Sequence, residues 1–200
     1  MDADDRLATA LADDLDGAFE ALVVAHQDRL YTIAVRMLGD RSDAEEAAQD
    51  ALVRAYRALA SYDGDRIREL RLRGWLTTIV LNRCRSVASR KATRGPRPAS
   101  IDGDPARPIA EPEASPSAAP TEVAERHAER ERWASRLVTL PTPYRTAVIL
   151  HHVDGLSYPE VARTLGRPEG TVKAQVHRGI AMLRTMLETE HERELQEMTA

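Results

Sequence analysis

Cysteine is all but missing from this chain. Cys84 alone among 200 residues excludes an internal disulfide and any zinc site built on several thiolates. Lysine occurs only at Lys91 and Lys173, so nearly all positive charge rests on arginine. Aromatic residues make up 4%, and the core must therefore be assembled from Leu, Val, Ile and Ala, which a 42% apolar content allows. No apolar run approaches the ~20 residues a membrane-spanning helix requires, and the acidic start lacks the basic and apolar parts of a secretory signal. The expectation is a cytoplasmic protein without membrane insertion. Catalytic patterns are missing too. His151 and His152 are adjacent and point to different helix faces, and His191-Glu192 lacks the second histidine of a zinc-protease motif. Gly166 to Gly170 is too short for a phosphate-binding loop and lacks its Lys-Ser/Thr ending. We expect no catalytic residue, no metal and no cofactor.

What is present is helical periodicity, interrupted once. Residues 1–14, mostly Ala and Asp, read as a disordered leader. From Leu15 apolar residues recur at spacings of three and four (Phe19, Leu22, Leu30, Ile33, Met37) until Gly39-Asp40. A second helix, Asp43 to Leu59, has an apolar side of Ala44, Ala48, Leu52, Ala55 and Leu59; its acids lie early and its arginines late, as the helix dipole favours. After a polar stretch from Tyr62 to Gly74, Trp75 opens a third helix with Leu76, Ile79, Val80, Cys84 and Val87 inward and Thr78, Asn82, Arg85, Ser86 and Lys91 outward. Residues 95–121 then carry seven prolines among Ala, Ser and acids, too little apolar area to offset their ordering entropy, and read as a flexible linker. A second helical domain follows at 122–187, ending in an acidic tail at 188–200. The fold expected is all-α, two small helical domains joined by a Pro-rich flexible linker, the first spanning 15–94.

Charge is unevenly spread. The total is −4, yet from Arg66 to Arg94 nine cations face Glu69 alone, a net of +8, which is the electrostatic footprint of a phosphate backbone. In the second domain, Ser157 and Glu160 form a capping box at the start of a short helix, Gly166 can stop it, and Pro168 suits the entry of the next. Val172, Val176, Ile180 and Leu183 form the inner stripe of that next helix. Gly170, Lys173, Ala174, His177 and Arg178 face away, small first and basic later. Such a second helix can enter a major groove, although an ordinary amphipathic helix pair has the same periodicity.

The wording of these segments is more specific than their pattern. Val153-Asp154-Gly155-Leu156-Ser157-Tyr158-Pro159-Glu160-Val161-Ala162, then Leu165-Gly166, Glu169-Gly170-Thr171-Val172-Lys173 and His177-Arg178, resembles region 4 of the sigma-70 family, especially its extracytoplasmic-function branch. Asp43 to Tyr56 resembles the region 2 helix of the same family that docks on the coiled coil of the polymerase β′ subunit, and Trp75-Leu76, Ile79 and Asn82 resemble regions 2.3 and 2.4. The resemblance implies a promoter-specificity subunit whose partners are core RNA polymerase (β′ coiled coil and β flap) and promoter DNA, with room for an anti-sigma factor. It implies −35 contacts from Glu169, Gly170, Thr171, Lys173, Ala174, His177 and Arg178, and −10 contacts from Arg71, Arg73, Thr78, Asn82, Arg85, Ser86 and Lys91. Polymerase contacts fall to Asp43, Glu46, Gln49 and Asp50. This chain has Ala174 and Gln175 where the family usually has Ser and Arg, which alters two candidate DNA contacts. Trp75 reads first as a core anchor and second as a stacking platform, and Cys84 as a small core hydrophobe before a redox sensor. The alternative function is a conventional helix-turn-helix regulator that binds duplex DNA without polymerase.

Overall fold

The computed structural model describes residues 2–94 and 132–198. The proline-rich stretch read as a linker, and the start of the second domain near Glu122, lie outside the described residues. Among the described residues every regular element is helical. The helices are α1 (Ala3–Asp13), α2 (Leu15–Leu38), α3 (Arg41–Leu59), α4 (Gly64–Arg68), α5 (Leu72–Arg94), α6 (described over 132–139), α7 (Thr142–Val148), α8 (Tyr158–Leu165) and α9 (Glu169–Met198). A π-helical turn, Ile149–Val153, continues α7.

Helix α1 corrects the expectation of a disordered leader. Asp2 and Asp5 cap its start reciprocally, the Asp5 carboxylate accepting from the Asp2 N–H at 3.0 Å, and Ala8 and Leu11 are fully buried. Leu7 and Ala12 pack beside them, so a stripe that is half alanine anchors the segment against α2 and α4. Asp14 then caps α2 by accepting from Gly17 N–H at 3.0 Å.

The α2–α3 corner follows from two residues. Gly39 takes the left-handed conformation (φ 73°) and returns its N–H to Val35, and the Asp40 side chain accepts from Asp43 N–H at 2.9 Å. Alanines 44, 47, 48, 51 and 55 are buried along α3, and their small side chains let it lie close on α2. Leu72, Leu76, Val80, Leu81 and Cys84 of α5 close the third side of this body. The polar stretch before α5 holds the short α4, capped by Asp63 and pinned by buried Ile67.

In the second body the capping box forms as its sequence predicts: the Glu160 carboxylate accepts from the Ser157 N–H at 2.8 Å and hydroxyl at 2.5 Å. Gly166 ends α8 in the left-handed region (φ 62°). Helices α7 and α9 cross so closely at Gly179 that a Cβ there would sit 2.6 Å from Val148 Cγ2. Helix α9 runs without a break through the acidic end to Met198, and Arg136 of α6 pairs with its Glu190 at 2.7 Å.

The two bodies are seated on each other. Helix α8 packs against α5, and the π-turn against α2. The Arg145 guanidinium reaches across to the Met37 carbonyl at 2.6 Å while also donating to the carbonyls of Val138 and Leu140. Asp154 is held by Arg29 and Arg73 of the first body.

Candidate nucleic-acid interface

Helix α9 presents the face expected of it. Val172, Val176 and Leu183 are buried with Gly179 between them and Ile180 is half-buried, whereas Glu169, Gly170, Thr171, Lys173, Ala174, His177 and Arg178 are all exposed along one side. The first turn is sterically open, with nothing within 4 Å of a Cβ built on Gly170. Lys173 pairs with Glu169 at 3.0 Å and lies 5.5 Å from the centre of the Tyr158 ring, so its ammonium is oriented yet remains half exposed. Such a pair is easily exchanged for a phosphate, because an exposed ion pair contributes little. Gln175, where the family usually has arginine, accepts from Arg167 at 3.1 Å and is tied to the turn before α9.

The first body offers a concave site. A pocket of about 510 Å³ is lined by Arg54, Arg57, Tyr62, Trp75, Ile79, Asn82, Arg83 and Ser86. Trp75 is half-buried, with its ring centre 6.3 Å from Tyr62, and Arg66 stacks 3.8 Å over the other aromatic partner. Trp75 is therefore both an anchor and part of the pocket wall. The Asn82 amide oxygen accepts from Arg85 at 2.8 Å, and the Ser86 hydroxyl donates to the Asn82 carbonyl at 3.0 Å. Aromatic faces, an amide and a rim of guanidiniums are what an unstacked base and its phosphates require. Sequence reasoning missed Arg54, Arg57 and Tyr62 as members; the available signal was the cation pair in the last turns of α3, which faces the same side as the aromatic just beyond it.

The remaining residues expected at the −10 element are dispersed. Arg71 lies at a second cavity, about 460 Å³, between the N-terminus of α1, the start of α5 and α8. Arg73 also lines it, but its guanidinium is engaged by Asp154. Thr78 is half-buried and donates to the Gly74 carbonyl at 3.0 Å. Arg85 borders a small cleft against Thr142, Pro143 and Arg167 of the second body. Lys91 is paired with Asp43, and lies 3.6 Å from Asp40; that pairing holds its ammonium above its ordinary range.

That pairing bears on the acidic stripe of α3. Asp43, Glu46 and Asp50 face α5: Glu46 lies 3.2 Å from Arg83, and Asp50 2.8 Å from Arg83 and 2.6 Å from Arg54. The basic segment is thus partly neutralised within the fold. Gln49 stands apart on the other side of α3, in a groove of about 210 Å³ shared with Gln27, Asp28, Tyr31 and Leu52. Val24, 66% exposed, and Val53 are exposed apolar side chains on the same two helices. Cys84 is buried and its thiol is pushed up to about 12 by desolvation, which suits a core residue and not a sensor.

Residues 22–94 match the Sigma-70 region 2 family, and residues 130–183 match Sigma-70, region 4. The chain is 31% identical over 162 residues to the ECF RNA polymerase sigma-E factor of Escherichia coli, covering 80% of this chain and 82% of that one. The chain belongs to the sigma-70 family, in its ECF branch. It is also 29% identical to the ECF sigma factor SigW of Bacillus subtilis, over 85% of this chain and 89% of that one. A match to SigE of Mycolicibacterium smegmatis is 30% identical over 85% of this chain, which spans 62% of that relative's length. Among solved structures, CnrH in complex with the cytosolic domain of CnrY aligns with a TM-score of 0.67 at 28% identity, covering 94% of this chain and 99% of that one. The fold is shared too with the sigma factor RpoE of Bartonella quintana (TM-score 0.60, 23% identity, 85% and 96% covered). Among the described residues of this family member no helix is long and apolar enough to cross a membrane.

Proposed function

We propose that this chain is an ECF sigma factor that binds core RNA polymerase in the cytoplasm, selects promoters and holds their strands apart, making no covalent bond itself. One observation carries the reading: region 2 and region 4 occur in family order, which supports assigning the exposed side of α9 and the Trp75 pocket to two different promoter elements. The exposed side of α9 serves the duplex −35 element, with Gly170 and Ala174 allowing close approach and Lys173 and Arg178 meeting phosphates. The pocket of Trp75, Asn82 and Ser86 serves the opened −10 strand. Gln49 and the α2–α3 groove around it serve polymerase; Asp43, Glu46 and Asp50 act chiefly as the ionic frame that fixes α5 on α3.

The test is run-off transcription with purified core polymerase on promoters recovered by mapping chromosomal sites occupied together with polymerase. The expected result is initiation dependent on the chain, at one copy per enzyme. Asn82→Ala should slow open-complex formation and leave closed complexes largely intact. A chain that instead bound duplex DNA as a symmetric dimer and ignored polymerase would be a conventional regulator, and the proposal would fall.

A further inference from the structure

Asp154 is the C-terminal body's carboxylate set inside the N-terminal body. Its side chain is 1% exposed, and Arg29 of α2 grips it through Nε at 2.5 Å and Nη2 at 2.7 Å. The same Nη2 reaches the Thr77 hydroxyl at 2.5 Å. Arg73 donates to the Asp154 backbone carbonyl, and its Nη2 stands 3.5 Å from the carboxylate. Two guanidiniums thus converge on one anionic group, contributed 125 residues away from Arg29, while the Thr77 hydroxyl accepts from Arg29 and donates to the Arg73 carbonyl at 2.7 Å, holding the Arg29 fork in place.

The carboxylate does not exhaust this cradle. Arg29 Nη1 is buried without a hydrogen-bond partner; His26, one helical turn earlier and 5% exposed, makes no hydrogen bond, its Nε2 standing 3.5 Å from the Asp4 carboxylate of α1. A buried donor left unsatisfied is costly, so the spare Arg29 donor beside a filled anion site suits an occupant with more acceptor oxygens than a carboxylate. A phosphodiester has that chemistry, and arginine forks match it bidentately.

We propose that Arg29 and Arg73, with Thr77 orienting the Arg29 fork, form a phosphodiester-binding cradle for promoter DNA, which Asp154 fills as an internal stand-in for phosphate while the two bodies are closed on each other. Closure and strand binding then compete for the same two arginines. Both cannot hold at once. Reading two elements almost two helical turns apart, about 60 Å, also requires that α8 leave α5. The proposal rests on the promoter-binding reading above and adds to it what keeps the free chain closed.

The experiment uses the full chain carrying one dye on each body, with energy transfer reporting their separation and fluorescence anisotropy reporting affinity for a 12-nucleotide single strand of −10 sequence. In the wild type, oligonucleotide should separate the bodies. Asp154→Asn, which keeps volume and removes charge, should open them without DNA and bind the strand about tenfold more tightly. Arg29→Met should open them equally, gain no affinity, and lower the salt-dependence slope by about one phosphate contact. An Asp154→Asn chain that stays closed or binds no more tightly overturns the proposal, as does Arg29→Met binding as well as Asp154→Asn. Should either variant fail to fold, the wild-type titration decides, since oligonucleotide that binds without moving the bodies overturns it as well. Binding of the wild type to core polymerase, measured alongside, separates the two ideas: its loss refutes the sigma-factor reading alone, and unchanged dye separation refutes the cradle alone.

Discussion

Gly179 and Gly170 lie nine residues apart on one helix, and replacing each by alanine should change stability in opposite directions. At Gly179 the added methyl would stand 2.6 Å from Val148 Cγ2 and 3.4 Å from both the Tyr144 Cβ and the Tyr144 backbone oxygen. Val148 is itself buried, so it has no solvent to swing into. Alanine gains ~1 kcal/mol of helix propensity over glycine. Forcing a methyl into a packed crossing costs ~1–3 kcal/mol, and more when a backbone atom is among those crowded. A contact at 2.6 Å against a fixed neighbour belongs at the upper end, which leaves Gly179→Ala destabilised by ~1–2 kcal/mol, or about 3–6 °C in Tm for a chain of this size. At Gly170 a Cβ meets nothing, so only propensity acts, and Gly170→Ala should be stabilised by ~0.5 kcal/mol. Urea unfolding followed by circular dichroism, with both variants and the double variant, measures each term and its additivity. Gly179→Ala at or above wild-type stability would refute the claim that α7 and α9 are set by the missing side chain. Function should separate as well: Gly170→Leu is expected to fold normally yet lose −35 binding by bulk in the groove.

Further outcomes follow from other sites. Lys173→Ala and Arg178→Ala should each weaken −35 duplex binding by the holoenzyme and reduce its salt slope by about one, with little sequence discrimination lost; filter binding across a salt series reads both. Burial holds the His26 imidazole below its ordinary value of about 6.5, so below that pH the unfolded chain takes up a proton that the folded chain refuses. Stability from this group is therefore complete above pH ~6.5 and declines as pH falls from there toward the folded value; denaturation between pH 5 and 8 should show this decline and His26→Gln should flatten it. Cys84 should resist thiol reagents in the folded chain at pH 8 and react at once in denaturant, since its thiol is buried and its pKa raised to about 12. Rapid labelling of the native protein would contradict that placement.

Local chemistry was legible wherever it depends on neighbours in sequence. The helix pair, its capping box at Ser157 and Glu160, the left-handed stop at Gly166 and the two faces of α9 could be read from spacing alone, because a helix has one period and its ends have few chemical solutions. Helix α1 was not legible. Its stripe is Leu7, Ala8, Leu11 and Ala12, and alanine carries too little hydrophobicity to mark a face until α4 covers it. The charge of the basic segment was legible and its ion pairing was not, since Arg83, Arg90 and Lys91 turn toward the acids of α3. Periodicity places a residue on a side of its own helix; it does not say which helix lies opposite.

The order of residues alone determined an all-helical chain in two bodies, the family wording of each, and the outward side of the reading helix, because these rest on interactions within one or two turns. Only the tertiary structure decided that Arg54, Arg57 and Tyr62 share a pocket with Trp75 and Asn82, that three acids of α3 are spent on α5, and that Arg29 and Asp154 meet across 125 positions. Such contacts are fixed by how helices pack and by which charges can be desolvated together, and neither quantity is written in local spacing.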